Sequence, residues 1–146
     1  MRCRTGDARL TVGGNLRARY VAHAVGPNYH VVSSLEEGDR LLASAYRRAL
    51  ETCAEHNDDL ARGEEAAIRR RLNGFDEAPS TIRTIAFALI SGGVFRGARS
   101  QHDVLKIGVE AIAAHCPANV EEVHMVGFSD QEVCILRDVA EDVLPA

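Results

Sequence analysis

The sequence has no tryptophan, no CxxC pair, no long apolar run and no excess of positive charge, and each absence narrows what the protein can be. No apolar stretch approaches the length that spans a bilayer. The opening Met1-Arg2-Cys3-Arg4-Thr5-Gly6 shows no apolar signal region, so secretion is not expected. The four cysteines, Cys3, Cys53, Cys116 and Cys134, are widely spaced, which argues against a zinc ribbon or a redox dithiol. They fit reduced, packing thiols in a cytoplasmic or nuclear protein. Net charge is −4, so nothing draws the chain globally to nucleic acid. There is no internal repeat and no low-complexity segment. What is present is 146 residues of ordinary globular composition, 46% hydrophobic and 26% charged, enough for a single domain with one core.

Hydrophobic patterning sets an alternating order of elements. Arg9 to Thr11 reads as a short strand stopped by Gly13-Gly14-Asn15, and Arg19 to Val25 as a better strand ended by Gly26-Pro27-Asn28. Leu35, Leu41, Leu42, Ala45, Tyr46, Ala49, Leu50 and Cys53 recur near helical spacing and predict a core-facing helix over about 35–54, capped by Ser34. Residues 56–80 are polar and irregular. They read as a surface insertion with a short helix around Glu64 to Leu72. Arg69-Arg70-Arg71 within it is best read as a solvated face balanced by Glu64 and Glu65, rather than as a nucleic-acid patch. Ile82 to Ile90 reads as a strand covered on both faces. Ser100 with Asp103 opens a helix that runs to about His115. Val120 to Phe128 is a further strand, and the Ser129–Glu132 capping box opens the last helix. This order predicts an α/β fold, a three-layer α/β/α sandwich around a mixed, mostly parallel sheet. In such sheets ligands sit beyond the carboxyl ends of the strands.

Ile90-Ser91-Gly92-Gly93-Val94-Phe95-Arg96-Gly97 occupies such an end. Strand, glycine-rich loop and helix together place free backbone N–H groups around a phosphate, and adjacent glycines let the backbone approach an anion closely. Phe95 offers a flat face suited to a ribose or a base, and Arg96 and Arg99 add positive charge. A purely structural glycine turn remains the alternative at this point. The Gly127-Phe128-Ser129 junction lies at a second strand end. The candidate ligand-binding residues are therefore Ser91, Gly92, Gly93, Val94, Phe95, Arg96 and Phe128.

Three segments, read together, resemble a macrodomain, the ADP-ribose-binding α/β/α module. Cys3-Arg4-Thr5-Gly6-Asp7-Ala8, followed by Thr11, Gly13 and Leu16, resembles the family's C-x-T-G-E-A-x-x-T-x-G-x-x-L stretch. Ala18 to Pro27 resembles its A-R-Y-V-I-H-x-V-G-P strand, and Ile85 to Phe95 resembles I-A-F-P-x-I-S-x-G-V-Y. The resemblance implies that Ser91, Gly92, Gly93, Val94 and Phe95 wrap the diphosphate and distal ribose of ADP-ribose. Arg96 stands where the family more often has a small or neutral residue, and its two open roles are pairing with phosphate or pointing to solvent.

The departures from the family pattern are equally informative. The resemblance starts at the Thr-Gly-x-Ala segment, so the family's preceding strands are missing, as are its adenine-recognising Asp and its Asn-rich first loop. One missing strand belongs between strands that this chain keeps, which predicts an incompletely closed sheet. The expectation is a fragment of a longer macrodomain rather than a reduced domain that borrows a strand by self-association or from a partner. The leading function is binding of ADP-ribose or mono-ADP-ribosylated protein, with no cofactor, no direct sign of a nucleic-acid partner and no membrane. Alternatives are a hydrolase of ADP-ribosyl or O-acetyl-ADP-ribose esters, and an interaction fragment without ligand. No catalytic residue can be assigned. His23 reads as a packed, hydrogen-bonded histidine, His30 as exposed near the site, and Asp39 and His102 as residues near helix starts. His115, Cys116 and His124 lack metal-ligand spacing.

Overall fold

The computed structural model describes residues 2–72 and 78–145. Its strands are β1 (Ala8–Val12), β2 (Tyr20–Ala24), β3 (Thr84–Ala88) and β4 (Glu122–Val126). Its helices are α1 (Leu35–Ala61), α2 (Glu65–Arg71), α3 (Gln101–His115) and α4 (Asp130–Val143). This is the expected α/β order, and the last five residues of the irregular stretch before Ala78 lie outside the described residues.

Helix α1 is the spine. Ser34 caps it, its Oγ accepting from Glu37 N at 3.1 Å, and Glu36 and Glu37 suit the positive end of the helix dipole. Leu42, Ala45, Tyr46, Ala49, Leu50 and Cys53 recur at three- and four-residue steps and are all buried. The helix continues to Ala61, two turns past the expected end, and stops where Gly63 takes a positive φ of 73°. The extension buries His56 and Asn57, so the segment that reads as surface begins inside the core. The His56 Nε2–H donates to the Ser80 carbonyl at 2.9 Å. The Asn57 side chain accepts from Ile82 N at 2.7 Å and donates to Ile82 O at 2.9 Å. In α2, Ile68 is buried and Leu72 follows it into the core, while Arg71 pairs with Asp59 at 2.6 Å.

The strands form two separate ladders among the described residues. β1 and β2 pair antiparallel, with Ala8 opposite Ala24 and Val12 opposite Tyr20. β3 and β4 pair in parallel, with Thr84 opposite Glu122 and Ala88 opposite Val126. No backbone ladder joins β2 to β3. The expectation that β3 is covered on both faces is corrected. Ile85 and Phe87 are buried, but Thr84, Ala86 and Ala88 are exposed. Side chains of α1 and α3 cover only the first face, where Phe87 meets Tyr46 at a ring separation of 5.3 Å. A smaller apolar cluster, Leu105, Val109, Leu136 and Val139, joins α3 to α4.

Asn57 satisfies both backbone groups of Ile82, and truncating it orphans two buried polar groups. Each such group costs about 1–3 kcal/mol. Asn57→Ala is therefore expected to lower the unfolding free energy by about 2–4 kcal/mol in urea titration. A change below about 0.5 kcal/mol contradicts the clamp.

Candidate functional site

The carboxyl end of β3 is built against α1 and against the loop that follows β2. The Ile90 N–H donates to the Tyr46 hydroxyl at 3.1 Å, which fixes where the strand ends. Tyr46 reaches that point past α3 because Gly108 has no side chain. A Cβ there would lie 2.8 Å from the Tyr46 ring. Ser91 then turns the chain with a positive φ of 56°, and its hydroxyl donates to the Pro27 carbonyl at 2.7 Å. A side chain on Gly26 would sit 2.3 Å from Ile90 Cγ2, so Gly26 is required for the two loops to meet.

Loop 90–97 is strapped to its neighbour by its own carbonyls. Tyr29 N–H donates to Phe95 O at 2.8 Å, and His30 Nε2–H donates to Val94 O at 2.9 Å. The Gly92 N–H is spent on Leu89 O at 3.0 Å and the Arg96 N–H on Gly93 O at 3.0 Å. The N–H groups of Gly93, Val94 and Phe95 meet no acceptor among the described residues. Val94 and Phe95 are 86% and 56% exposed, so the unpaired donors belong to exposed residues while the Val94 and Phe95 carbonyls are bonded to the neighbouring loop. That polarity favours an anion.

Behind the loop lies a three-membered polar cluster. The Tyr29 hydroxyl donates to Asp39 Oδ1 at 2.8 Å, and Arg99 donates to the same carboxylate through Nε at 3.0 Å and through a second nitrogen. Burial pushes the Asp39 carboxyl up, but Arg99 and Tyr29 outweigh it and hold the pKa below the ordinary value of 3.8. Burial, and then the neighbouring Asp39 carboxylate, raise the pKa of Tyr29. Asp39 is thus not a helix cap, as its position suggests. Ser34 fills that role, and Asp39 joins the start of α1 to the chain after the loop.

The predicted site residues separate into groups. Ser91 turns its hydroxyl inward and Gly92 is buried, so both shape the loop, while Gly93, Val94 and Phe95 form its exposed rim. Arg96 folds back and donates through one guanidinium nitrogen to the Arg99 carbonyl at 2.8 Å. Phe128 is fully exposed at the end of β4, beside Ala86, Ala88 and Val126 rather than in the loop. His30 is exposed at the loop, as expected. His23 is hydrogen-bonded to Thr11 at 2.9 Å but is exposed rather than packed. Tyr29, Gly26 and Gly97 were not singled out from sequence as site residues. Gly97 has a φ of +60°, and a Cβ on it would lie 3.0 Å from Tyr29. A larger apolar cleft of about 540 Å³ lies between α3, β4 and α4, lined by Ile112, Val123, Met125 and Leu136, and is not part of the loop.

Residues 1–105 match the Macro domain family. A macro domain-containing protein of Caldanaerobacter subterraneus is 32% identical over 97% of this chain and 65% of its own length. One of Streptomyces coelicolor is 36% identical over 85% of this chain and 56% of its own. An Oceanobacillus iheyensis macrodomain mutant with ADPR superposes at a TM-score of 0.68 with 25% identity, over 97% of this chain and 61% of that one. A Trypanosoma brucei macrodomain in complex with ADP shares the fold at a TM-score of 0.61 and 23% identity, over 94% of this chain and 46% of that one. The chain therefore spans only about half to two-thirds of the length of the curated relatives it matches.

A carboxyl whose pKa is lower in the fold than in the unfolded chain stabilises the fold fully above the unfolded value. That contribution fades as pH falls below 3.8. Asp39→Asn is expected to lower the Tm by a constant amount from pH 5 to pH 8, and the gap to the parent protein is expected to shrink below pH 4. A gap that persists unchanged at pH 3 contradicts the charged Tyr29–Asp39–Arg99 cluster.

Proposed function

The chain belongs to the Macro domain family, and we propose that its loop 91–97 binds the diphosphate of ADP-ribose, free or attached to a protein. The observation that carries this reading is the polarity of the loop. The carbonyls of Val94 and Phe95 are tied to His30 and Tyr29, and the N–H groups of Gly93, Val94 and Phe95 have no acceptor among the described residues. A diphosphate is an acceptor-rich anion of matching character. Phe95 presents an exposed aromatic face beside those donors, suited to a ribose or a base. The ADPR in the Oceanobacillus iheyensis neighbour supports the same choice of ligand. The titratable side chains next to the loop, His30 and Asp39, are engaged in holding it, which supports binding over bond cleavage.

Gly93 is the position at which to test the proposal, because a Cβ there meets nothing within 4 Å. Gly92 is less suitable, since a Cβ would lie 3.0 Å from Leu89 and would disturb the loop itself. Gly93→Glu places a carboxylate among the donors. In titration calorimetry with ADP-ribose it is expected to weaken binding at least about tenfold, roughly 1.4 kcal/mol, with little change in Tm. Unchanged affinity in a folded variant overturns the site, and no binding by the parent protein overturns the function.

A further inference from the structure

We propose that His30 is a positioning residue for the diphosphate loop and couples its affinity to pH, with ADP-ribose binding more tightly as the imidazole gains a proton. The inference rests on the reading of loop 91–97 as the ADP-ribose site. Asn28 holds the residue in place. Its side chain accepts the His30 N–H at 3.0 Å and its carbonyl accepts the Val31 N–H at 3.0 Å, so one asparagine turns the chain and presents the ring. His30 Nε2 then lies 2.9 Å from the Val94 carbonyl oxygen. A carbonyl oxygen only accepts, so Nε2 carries the proton. That carbonyl shares a rigid trans peptide plane with the Phe95 N–H, which points the opposite way. Fixing the oxygen therefore fixes the direction of a donor that has no acceptor among the described residues.

The neutral ring leaves Nδ1 without a partner among the described residues, and His30 is exposed, so it takes a proton from solvent without breaking a bond. Histidine is the side chain whose charge ordinarily changes between pH 5 and pH 8. The imidazolium keeps its bond to Val94 O, now charge-assisted, and polarises the peptide so that the Phe95 N–H becomes the stronger donor. It also adds a positive charge one peptide away from the proposed anion. An anion on the loop favours the protonated ring, and by reciprocity the protonated ring favours the anion. The sign follows: affinity rises as pH falls.

The other charged groups around the loop hold their state over that range. On α1, Asp39 stays a carboxylate, because Arg99 and Tyr29 outweigh burial and keep its pKa below 3.8. Glu36 is held low by its own backbone N–H and by Ser34. Burial, and then Asp39, keep the Tyr29 phenol neutral. Arg96 and Arg99 remain cations, and Asp103 pairs with Arg99 at 3.6 Å. The diphosphate of ADP-ribose is esterified at both ends and keeps its charge. His102, exposed in the first turn of α3, has no side-chain hydrogen bond among the described residues and is the control.

The test is titration calorimetry of the full chain with ADP-ribose from pH 8 to pH 5.5, at fixed salt. Buffers of different ionisation enthalpy read proton uptake directly. The parent protein is expected to bind about three- to tenfold more tightly at the acid end, with net proton uptake. His30→Gln keeps an amide N–H for Val94 O but does not titrate, and is expected to give a flat profile without uptake. His30→Ala is expected to bind more weakly than His30→Gln at every pH, and His102→Gln to keep the parent's slope. A flat parent profile, a slope that survives in His30→Gln or disappears in His102→Gln, or equal affinity of the Gln and Ala variants at position 30 overturns the proposal. No binding by the parent at any pH overturns the reading of the loop itself, and this inference with it.

Discussion

Side chains of α1 hold β3 at both of its ends, and the rest of the structure depends on that hold. An inner strand is ordinarily fixed by ladders on both edges, but among the described residues β3 has one on the β4 side only. Asn57 takes both backbone groups of Ile82 just before the strand, and the Tyr46 hydroxyl takes the N–H of Ile90 just after it. Both anchors are buried, where a hydrogen bond is strengthened by the low dielectric and an unmade one is costly. The same helix carries Leu42, Leu50 and Cys53 into the core and packs on β1, β2 and α3, so one element registers both strand pairs.

The loop inherits its shape from this hold. With Ile90 fixed, Ser91 is driven into a positive φ and into contact with Pro27, and Gly26 and Gly97 supply the close approaches that the turn needs. Tyr29, from the loop after β2, then bonds the peptide of Phe95 and, through Asp39 and Arg99, ties α1 to the segment that enters α3. The carbonyls of Val94 and Phe95 are thereby engaged, while the N–H groups of residues 93–95 have no acceptor among the described residues. In the proposed site such a loop meets an anion through backbone donors, while Arg96 donates to the Arg99 carbonyl just beyond the loop.

Much of this was legible in the sequence where a local rule decided the outcome. Ser34, Ser100 and Ser129 cap helices as their positions predict, and Glu132 closes the capping box with Ser129. The strand–glycine–helix order around Ser91 was legible for the same reason, and the break between strand pairs matches what the family resemblance implied. Features decided by tertiary contacts were not legible. His56 and Asn57 are polar residues that read as surface, and their burial is set by partners 24 and 25 residues away. Asp39 sits where a carboxylate is explained by the helix dipole, and only the fold brings Arg99 to it. The apolar run 82–90 reads as doubly covered, but Ala86 and Ala88 are small enough to sit on either a bare or a covered face.

The most direct measurement is an amide-resolved NMR titration of the protein with ADP-ribose. The largest shifts should fall on the N–H groups of Gly93, Val94 and Phe95, with Tyr29 and His30 following and the cleft around Val123 and Met125 unmoved. Shifts centred on that cleft, or spread without a focus on residues 93–95, would contradict the assignment of the diphosphate to this loop.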